Sequence, residues 1–276
     1  MSILLRKLVK PTILQVETTN SCNLDCRICM RRGLRREIGF MELEDFKKLP
    51  LQHFNEICLH GWGEPFLHPQ IFEFISVVKR LGKKASLSTN GTRVIELMDQ
   101  ILDSGLDELT FGIYTLARRD AIEAMRRFID ARNRRGVNMK VYLDITVFRD
   151  NIDEIPKLVK IGLEAGVDGV VLHRVFNVYG VDPEVRYIDP SEERRLFRLV
   201  KEIGGDRVYL PTKHTYPCRV VLHTVFVTWN CLQTPCVFLP LEILGDARVS
   251  YERMLARHIE FVSRMKRHAV CSKCFW

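Results

Sequence analysis

Three cysteines, Cys22, Cys26 and Cys29, stand at the spacing C-x3-C-x2-C directly after the apolar run Ile13-Leu14-Gln15-Val16. A loop this short can wrap three thiolates around one iron–sulfur cluster and leave one iron without a protein ligand. The open iron must then be met by something other than this loop. A zinc knuckle or a disulfide staple are the alternatives. Zinc takes a fourth Cys or His, and the nearest His is His53, beyond an Arg-rich linker. A second constellation, Cys218, Cys236, Cys271 and Cys274, brackets a hairpin and a helix near the C-terminus. Four thiolates from so compact a unit suit a fully ligated four-iron cluster or a zinc site. Cys231 competes with Cys236 as a ligand; Cys58, in mid-strand, reads as a core thiol.

The elements that must position these thiols occupy a chain of 276 residues, 46% apolar and 28% charged. That is enough for one sizeable core, or a barrel with a small appendage. No run of 18 apolar residues argues for a membrane span, and Met1–Lys10 lacks the features of a secretory signal. Nine cysteines in clustered spacings, without a signal, argue for metal in a reducing, cytoplasmic setting. The net charge of +8 reflects many arginines, with two groups among them. Arg31, Arg32, Arg35 and Arg36 follow the cysteine loop and are candidates for facing substrate. Arg118, Arg119, Arg126, Arg127, Arg132, Arg134 and Arg135 lie at helical spacing among acids, as a solvated face would. Such charge also admits nucleic acid, though nothing else in the chain favours it.

Short apolar runs alternate with amphipathic stretches. Strands are expected at Ile13–Glu17, Glu56–His60, Lys84–Ser88, Glu108–Ile113, Lys140–Val147 and Gly169–Arg174. Helices are expected near Glu42–Lys48, Gln70–Leu81, Val94–Ser104, Ala117–Arg135 and Ile152–Ala165, several stopping at glycine. Such repeats mean parallel pairing, in an open sheet or a barrel. From Asp206 the rhythm fails. Val221–Val227 and Thr234–Phe238 read as a hairpin turning at Trp229-Asn230, and Tyr251–Arg267 as a helix.

The polar motifs fall at strand ends. His60-Gly61-Trp62-Gly63-Glu64-Pro65 offers close backbone approach and a carboxylate acceptor for an ammonium group. Ser88-Thr89-Asn90-Gly91 is a polar turn. Asp144 and Thr146 alternate onto one face of the fifth strand, with Asn151 at the following turn. With C-x3-C-x2-C after the first strand, this pattern resembles the radical S-adenosylmethionine (SAM) superfamily. The resemblance covers nearly the whole chain and implies a partial (β/α)6 TIM-like barrel with its site at the C-terminal strand ends. It implies that SAM chelates the open iron of a 4Fe-4S cluster held by Cys22, Cys26 and Cys29. Gly61, Gly63, Glu64 and Pro65 resemble the GGEP motif that holds the SAM amino group, with Trp62 in place of its middle glycine. Ser88 and Asn90 resemble a turn that meets SAM, and Leu172, His173 and Arg174 close the strand that often contacts adenine. Ile28 stands where the family prefers an aromatic residue, and the fourth strand lacks the usual Ser-x-Asp.

The C-terminal unit resembles the twitch domain, a shorter relative of the SPASM domain, as in dehydrogenases of aminoglycoside biosynthesis. This implies a barrel over 1–212, a twitch-like domain over 213–276, and Cys218, Cys236, Cys271 and Cys274 around a second, auxiliary 4Fe-4S cluster. The implied reaction is reductive cleavage of SAM to a 5′-deoxyadenosyl radical, hydrogen abstraction and net oxidation of a peptide, a sugar-like alcohol or a cofactor precursor. His60, His173 and Arg174 are candidate bases by position. An electron donor such as ferredoxin or flavodoxin is the expected partner. The molybdopterin-precursor cyclase ends in a glycine pair, which this sequence does not show. A tRNA-modifying relative and a non-catalytic zinc module are the competing readings.

Overall fold

The computed structural model describes residues 8–177, 179, 182–212 and 215–274. The reading of Met1–Lys10 falls mostly outside these residues, and the expected boundary at 212/213 abuts residues not described. The chain runs β1 (Ile13–Val16), α1 (Arg31–Leu34), α2 (Leu43–Lys47), β2 (Glu56–Cys58), α3 (Ile71–Arg80), β3 (Lys84–Thr89) and α4 (Met98–Asp103). It continues β4 (Glu108–Gly112), α5 (Arg119–Arg135), β5 (Lys140–Val147), α6 (Ile155–Ala165), β6 (Gly169–Arg174), α7 (Pro190–Gly204) and β7 (Val208–Tyr209). It ends α8 (Arg219–His223), β8 (Thr224–Val227), β9 (Leu232–Thr234), β10 (Gly245–Asp246) and α9 (Tyr251–Arg264).

Among the described residues ten strands join one open sheet in the order β10-β9-β8-β1-β2-β3-β4-β5-β6-β7, parallel from β8 through β7. This is the expected α/β architecture, a partial TIM-like barrel that does not close. Strand β5 shows why its strands are not continuously apolar. Val141, Leu143, Ile145 and Val147 are buried in the main hydrophobic core, while Tyr142, Asp144 and Thr146 are half-buried on the other face. One face packs under helices; the other lines a polar interior. At the far end of that interior Lys84 is paired with Glu56 and Glu108.

The C-terminal hairpin departs from expectation in two ways. Residues 219–223 are helical, so the strand starts at Thr224, where it pairs in parallel with β1. The return strand is Leu232–Thr234, not Thr234–Phe238. Thr228 and Cys231 set the register: Leu232 N donates to Thr228 Oγ1 at 3.1 Å and Cys231 takes the left-handed conformation (φ 61°). Pairing then puts Gln233 opposite Val227, and Pro235, with no N–H, ends the ladder. Helix α7 and strand β7 were not expected, although Asp189-Pro190 is a recognisable start. Asp189 caps the helix by accepting from Ser191 N at 2.7 Å, with Pro190 at its first position. Among the described residues no helix is long and apolar enough to cross a membrane.

Helix α9 packs back through His258, fully buried, with Nε2 2.6 Å from Val221 O and Nδ1 without a hydrogen-bond partner. Burial lowers its pKa from the usual 6.5 to about 4. The unfolded chain therefore takes up this proton first, so its stabilising effect is complete above pH 6.5 and lost as pH falls toward 4. Replacing His258 with Leu should flatten the acid side of the stability curve, removing about 2–3 kcal/mol of pH dependence between neutral pH and pH ~4.5. Parallel denaturant-midpoint profiles for the two proteins would refute this.

Candidate active site

The motifs lie beyond the C-terminal ends of β1 to β6, the rim at which barrel enzymes build their sites. The cysteine loop leaves β1 at Glu17 and is closed at its base by its own return segment. Thr19 Oγ1 donates to Gly39 O (2.7 Å), Asn20 Nδ2 to Glu37 O (2.8 Å), and Gly39 N to Asn20 Oδ1 (2.9 Å). Within the loop Cys29 N donates to Cys26 O at 3.0 Å.

Under the loop sits a buried ion pair that sequence reading missed. Glu17, with its side chain fully buried, takes a two-pronged pair from Arg36, Nη1 to Oε2 at 2.8 Å and Nη2 to Oε1 at 2.6 Å. The same carboxylate accepts from Trp62 N (3.2 Å) and Trp229 N (3.4 Å). One group thereby joins the ends of β1, β2 and β8 to the cysteine loop. The only hints are an acid closing an apolar strand and an arginine in a patch; their partnership is a tertiary fact. Arg31 and Arg32 serve the loop as well: Arg31 Nη2 donates to Leu24 O at 2.8 Å and Arg32 pairs with Asp25 at 3.4 Å. The patch expected to face substrate is largely occupied in holding the loop.

Gly61 and Gly63 pack against this same base. A Cβ on Gly63 would stand 2.3 Å from Thr19 O and 2.6 Å from Ser21 O, and one on Gly61 2.5 Å from Glu17 Cβ. Their need for hydrogen in place of a side chain arises from the protein's own backbone. Glu64, almost fully buried, accepts from Phe66 N (3.1 Å), Thr89 Oγ1 (2.8 Å) and Asn90 N (2.7 Å), tying the end of β2 to that of β3. Burial raises its pKa and these donors oppose the rise. Pro65 starts the short 3-10 turn that follows. Asn90 Nδ2 lies 2.9 Å from Asn23 Oδ1 and 3.7 Å from Cys22 Sγ, so the β3 turn touches the cysteine loop itself. Ser88 is half-buried on the interior face.

Opposite, Asp144, Thr146, His173 and Tyr114 share the mouth. His173 Nε2 is 3.6 Å from Asp144 Oδ1, a buried oxygen without a hydrogen-bond partner. Burial raises the Asp144 pKa, and His173 lowers it in part. Tyr114, from the segment after β4, is pushed well up by burial, then by Asp144, Cys26 and Cys29, while a hydrogen bond with Thr146 opposes this. It is a site residue that sequence reading did not single out. Its signal is slight, a tyrosine where the family's Ser-x-Asp is absent. Asn151 is fully engaged with backbone, donating to Tyr114 O (2.8 Å) and Thr146 O (2.9 Å) and accepting from Phe148 N (3.0 Å). Two expected contacts lie elsewhere: Leu172 is buried in the main core, and Arg174 makes a two-pronged pair with Glu193 of α7 at 2.6 and 3.1 Å. His60 is held at about 4 by burial, which makes it a neutral group under the mouth.

The thiols fit a metal cluster better than free cysteines. Cys26 is raised by burial, then by Cys29 and Cys22; Cys29 is raised by burial against the lowering effect of Arg31. Cys26 and Cys29, partly desolvated, are poor thiolates until a cation neutralises them. The later cysteines also gather: Cys236 is raised by burial and then by Cys218, Cys271 and Cys274, whereas Cys231 is influenced by Arg248, Asp45 and Asp246 instead. Among the described residues no three His, Cys, Asp or Glu side chains stand at single-ion spacing. Trp62 joins the two regions. Its Nε1 donates to Val237 O at 2.7 Å, and its ring stands edge-on to Phe238 within an apolar cluster that includes Met30, Leu34, Phe176 and Cys274. The residue that breaks the motif's glycine pair thus carries the contact to the Cys236 segment.

Three thiols on one loop thus stand at the C-terminal rim of an open parallel barrel. Residues 16–184, well over half the chain, match the Radical SAM superfamily, and the chain belongs to that superfamily. Membership brings SAM and one 4Fe-4S cluster as cofactors. The chain is 26% identical over 192 residues to the tungsten-containing aldehyde ferredoxin oxidoreductase cofactor-modifying protein of Pyrococcus furiosus, covering 62% of this chain and 52% of that protein. It is 24% identical over 220 residues to the GTP 3′,8-cyclase of Chlorobaculum tepidum, covering 74% and 61%. It therefore spans between half and two thirds of these relatives' length. Streptococcus suis SuiB bound to SAM shares the fold with a TM-score of 0.74 at 18% identity, covering 92% of this chain and 68% of SuiB. The SAM-bound structure of anSMEcpe has a TM-score of 0.68 at 16% identity, covering 96% and 84%.

Proposed function

We propose that this chain is a SAM-radical oxidase or maturase with a second, auxiliary 4Fe-4S cluster at Cys218, Cys236, Cys271 and Cys274, acting in the cytoplasm. The observation that carries it is the convergence of those four thiols on one neighbourhood, joined to the mouth through Trp62 and Phe238. Cys22, Cys26 and Cys29 would hold the first cluster, which would supply the electron for reductive cleavage of SAM. The chain's residues orient and shield that event. Gly61, Gly63, Glu64 and Pro65 shape one wall, Ser88 and Asn90 a second, and Asp144, Thr146 and His173 the third. Arg174 braces the strand through Glu193 of α7. His173, steadied by Asp144, is the group placed to take the proton that leaves during an oxidation. The polar interior suits a small hydroxylated molecule or a cofactor precursor; of the two relatives named above, one is a cofactor-modifying protein and the other a GTP 3′,8-cyclase. A peptide substrate, as in the SuiB complex with its precursor peptide SuiA, is the second form of this reading.

Anaerobic reconstitution with iron counting tests the metal content. Two four-iron clusters predict about eight irons per chain, and a Cys218→Ala/Cys236→Ala variant should retain about four. That variant should still form 5′-deoxyadenosine from SAM and dithionite. Bound zinc with only four irons would sink the auxiliary-cluster reading, and no 5′-deoxyadenosine from the wild type would sink the enzyme reading.

A further inference from the structure

The arginines just before and along α5 include both paired and unpaired members. Arg118, Arg132 and Arg135 are paired, with Asp120, with Asp168, and with Asp99 and Asp103. Arg119 and Arg126, together with Lys157 of α6, form no ion pair among the described residues and are exposed. These three cations rim a groove of about 430 Å³ between α5 and α6, whose apolar floor is Leu116, Ile122 and Ile161 and whose one acid is Glu123. Isolated cations around an apolar trough are the complement of a carboxylate-rich surface bearing an apolar side chain.

The groove backs onto the active site. Leu116 is two residues from Tyr114, whose hydroxyl environment includes Cys26 and Cys29. Arg118 donates to Asn90 O at 2.9 Å, and its charge acts on Cys26. The intervening segment is pinned to α6, because Thr115 Oγ1 and Leu116 N both donate to Glu154 Oε2. Residues 115–118 therefore link the rim of the groove to the Asn90 turn that touches the cysteine loop.

We infer that this groove is the docking surface for an acidic one-electron carrier protein, the reductant of the Cys22/Cys26/Cys29 cluster. The inference rests on the proposed function, since only a cluster that cleaves SAM reductively requires such a donor. One electron passes from the reduced carrier to the cluster, and the carrier leaves oxidised by one electron.

The test uses the reconstituted holoenzyme, SAM and reduced flavodoxin as probe, reading 5′-deoxyadenosine formation against flavodoxin concentration. A parallel arm uses dithionite, which needs no docking surface. Arg119→Glu/Arg126→Glu/Lys157→Glu should raise the half-saturating flavodoxin concentration by about tenfold or more and leave the dithionite rate unchanged. Arg119→Gln should give a smaller change in the same direction, and Arg253→Glu on α9 none. Added salt should slow the flavodoxin-driven reaction of the wild type more steeply than that of the triple variant. An unchanged flavodoxin dependence overturns the proposal, as does an equal fall in both arms. RNA retained by the wild type and lost by the triple variant, with flavodoxin dependence unaltered, would overturn it in favour of nucleic acid. Failure of the dithionite arm in the wild type would overturn the proposed function, and this inference with it.

Discussion

Replacing Cys26 with alanine is expected to reduce 5′-deoxyadenosine formation from SAM and dithionite to the level of an enzyme-free control. The expectation follows from ligand number. A cubane held by three thiolates has one open iron for SAM; held by two, it loses both its grip on the loop and the geometry that presents that iron. Cys26 is the middle cysteine of the three, and its backbone carbonyl receives Cys29 N, which ties it to the third. Alanine keeps the backbone and removes only the sulfur, leaving the fold unstrained. Far-ultraviolet circular dichroism should therefore match the wild type while about four irons per chain are lost. Serine at Cys22 or Cys29 should give the same result. Turnover above background in any of the three variants would mean that the loop is not the site of SAM cleavage.

Replacing Arg36 with methionine is expected to destabilise the protein by about 3–5 kcal/mol, because it strands Glu17 as a buried, uncompensated charge. Glu17 has no exposed surface and the Arg36 side chain is 12% exposed, so water offers the carboxylate little relief. The double replacement Glu17→Met/Arg36→Met should recover part of the loss, since it removes the charge along with its partner. Recovery should be incomplete, because Trp62 N and Trp229 N then lose their acceptor. Denaturant midpoints of the two single variants and the double form the cycle. A coupling below about 1 kcal/mol would show the pair to be no more than a surface contact. The loss should also loosen the cysteine loop and lower iron retention, which a destabilising change far from the site would not do.

Much of the site was legible because its parts are local. Three thiolates within one short loop, a Gly-x-Gly-Glu-Pro turn and an Asn-Gly turn each carry their meaning in adjacent residues, and alternation in Lys140–Val147 marks Asp144 and Thr146 as facing inward. The reading failed where partners lie far apart in sequence. Glu17 meets Arg36, Trp62 and Trp229 across separations of up to 212 residues, and no spacing rule connects them. Arg174 was expected at the mouth because it ends β6, yet Glu193 draws it to a helix that was itself not foreseen. The hairpin register slipped because a four-residue turn ending on a left-handed Cys231 is not visible in an apolar run.

By itself, then, the sequence determined the chemistry that can begin here. Cys22, Cys26 and Cys29 lie close enough to wrap one cluster and leave one coordination position open, since ligand count and loop length are properties of consecutive residues. It also determined the repeating strand–helix order, through the periodicity of apolar side chains. Only the tertiary structure decided how that chemistry is housed. Parallel pairing of β8 with β1 brings the later cysteines beside the mouth, and a buried carboxylate fastens three strand ends beneath the loop. Those outcomes depend on which surfaces bury each other and which charges lose their water, quantities set only when distant segments meet.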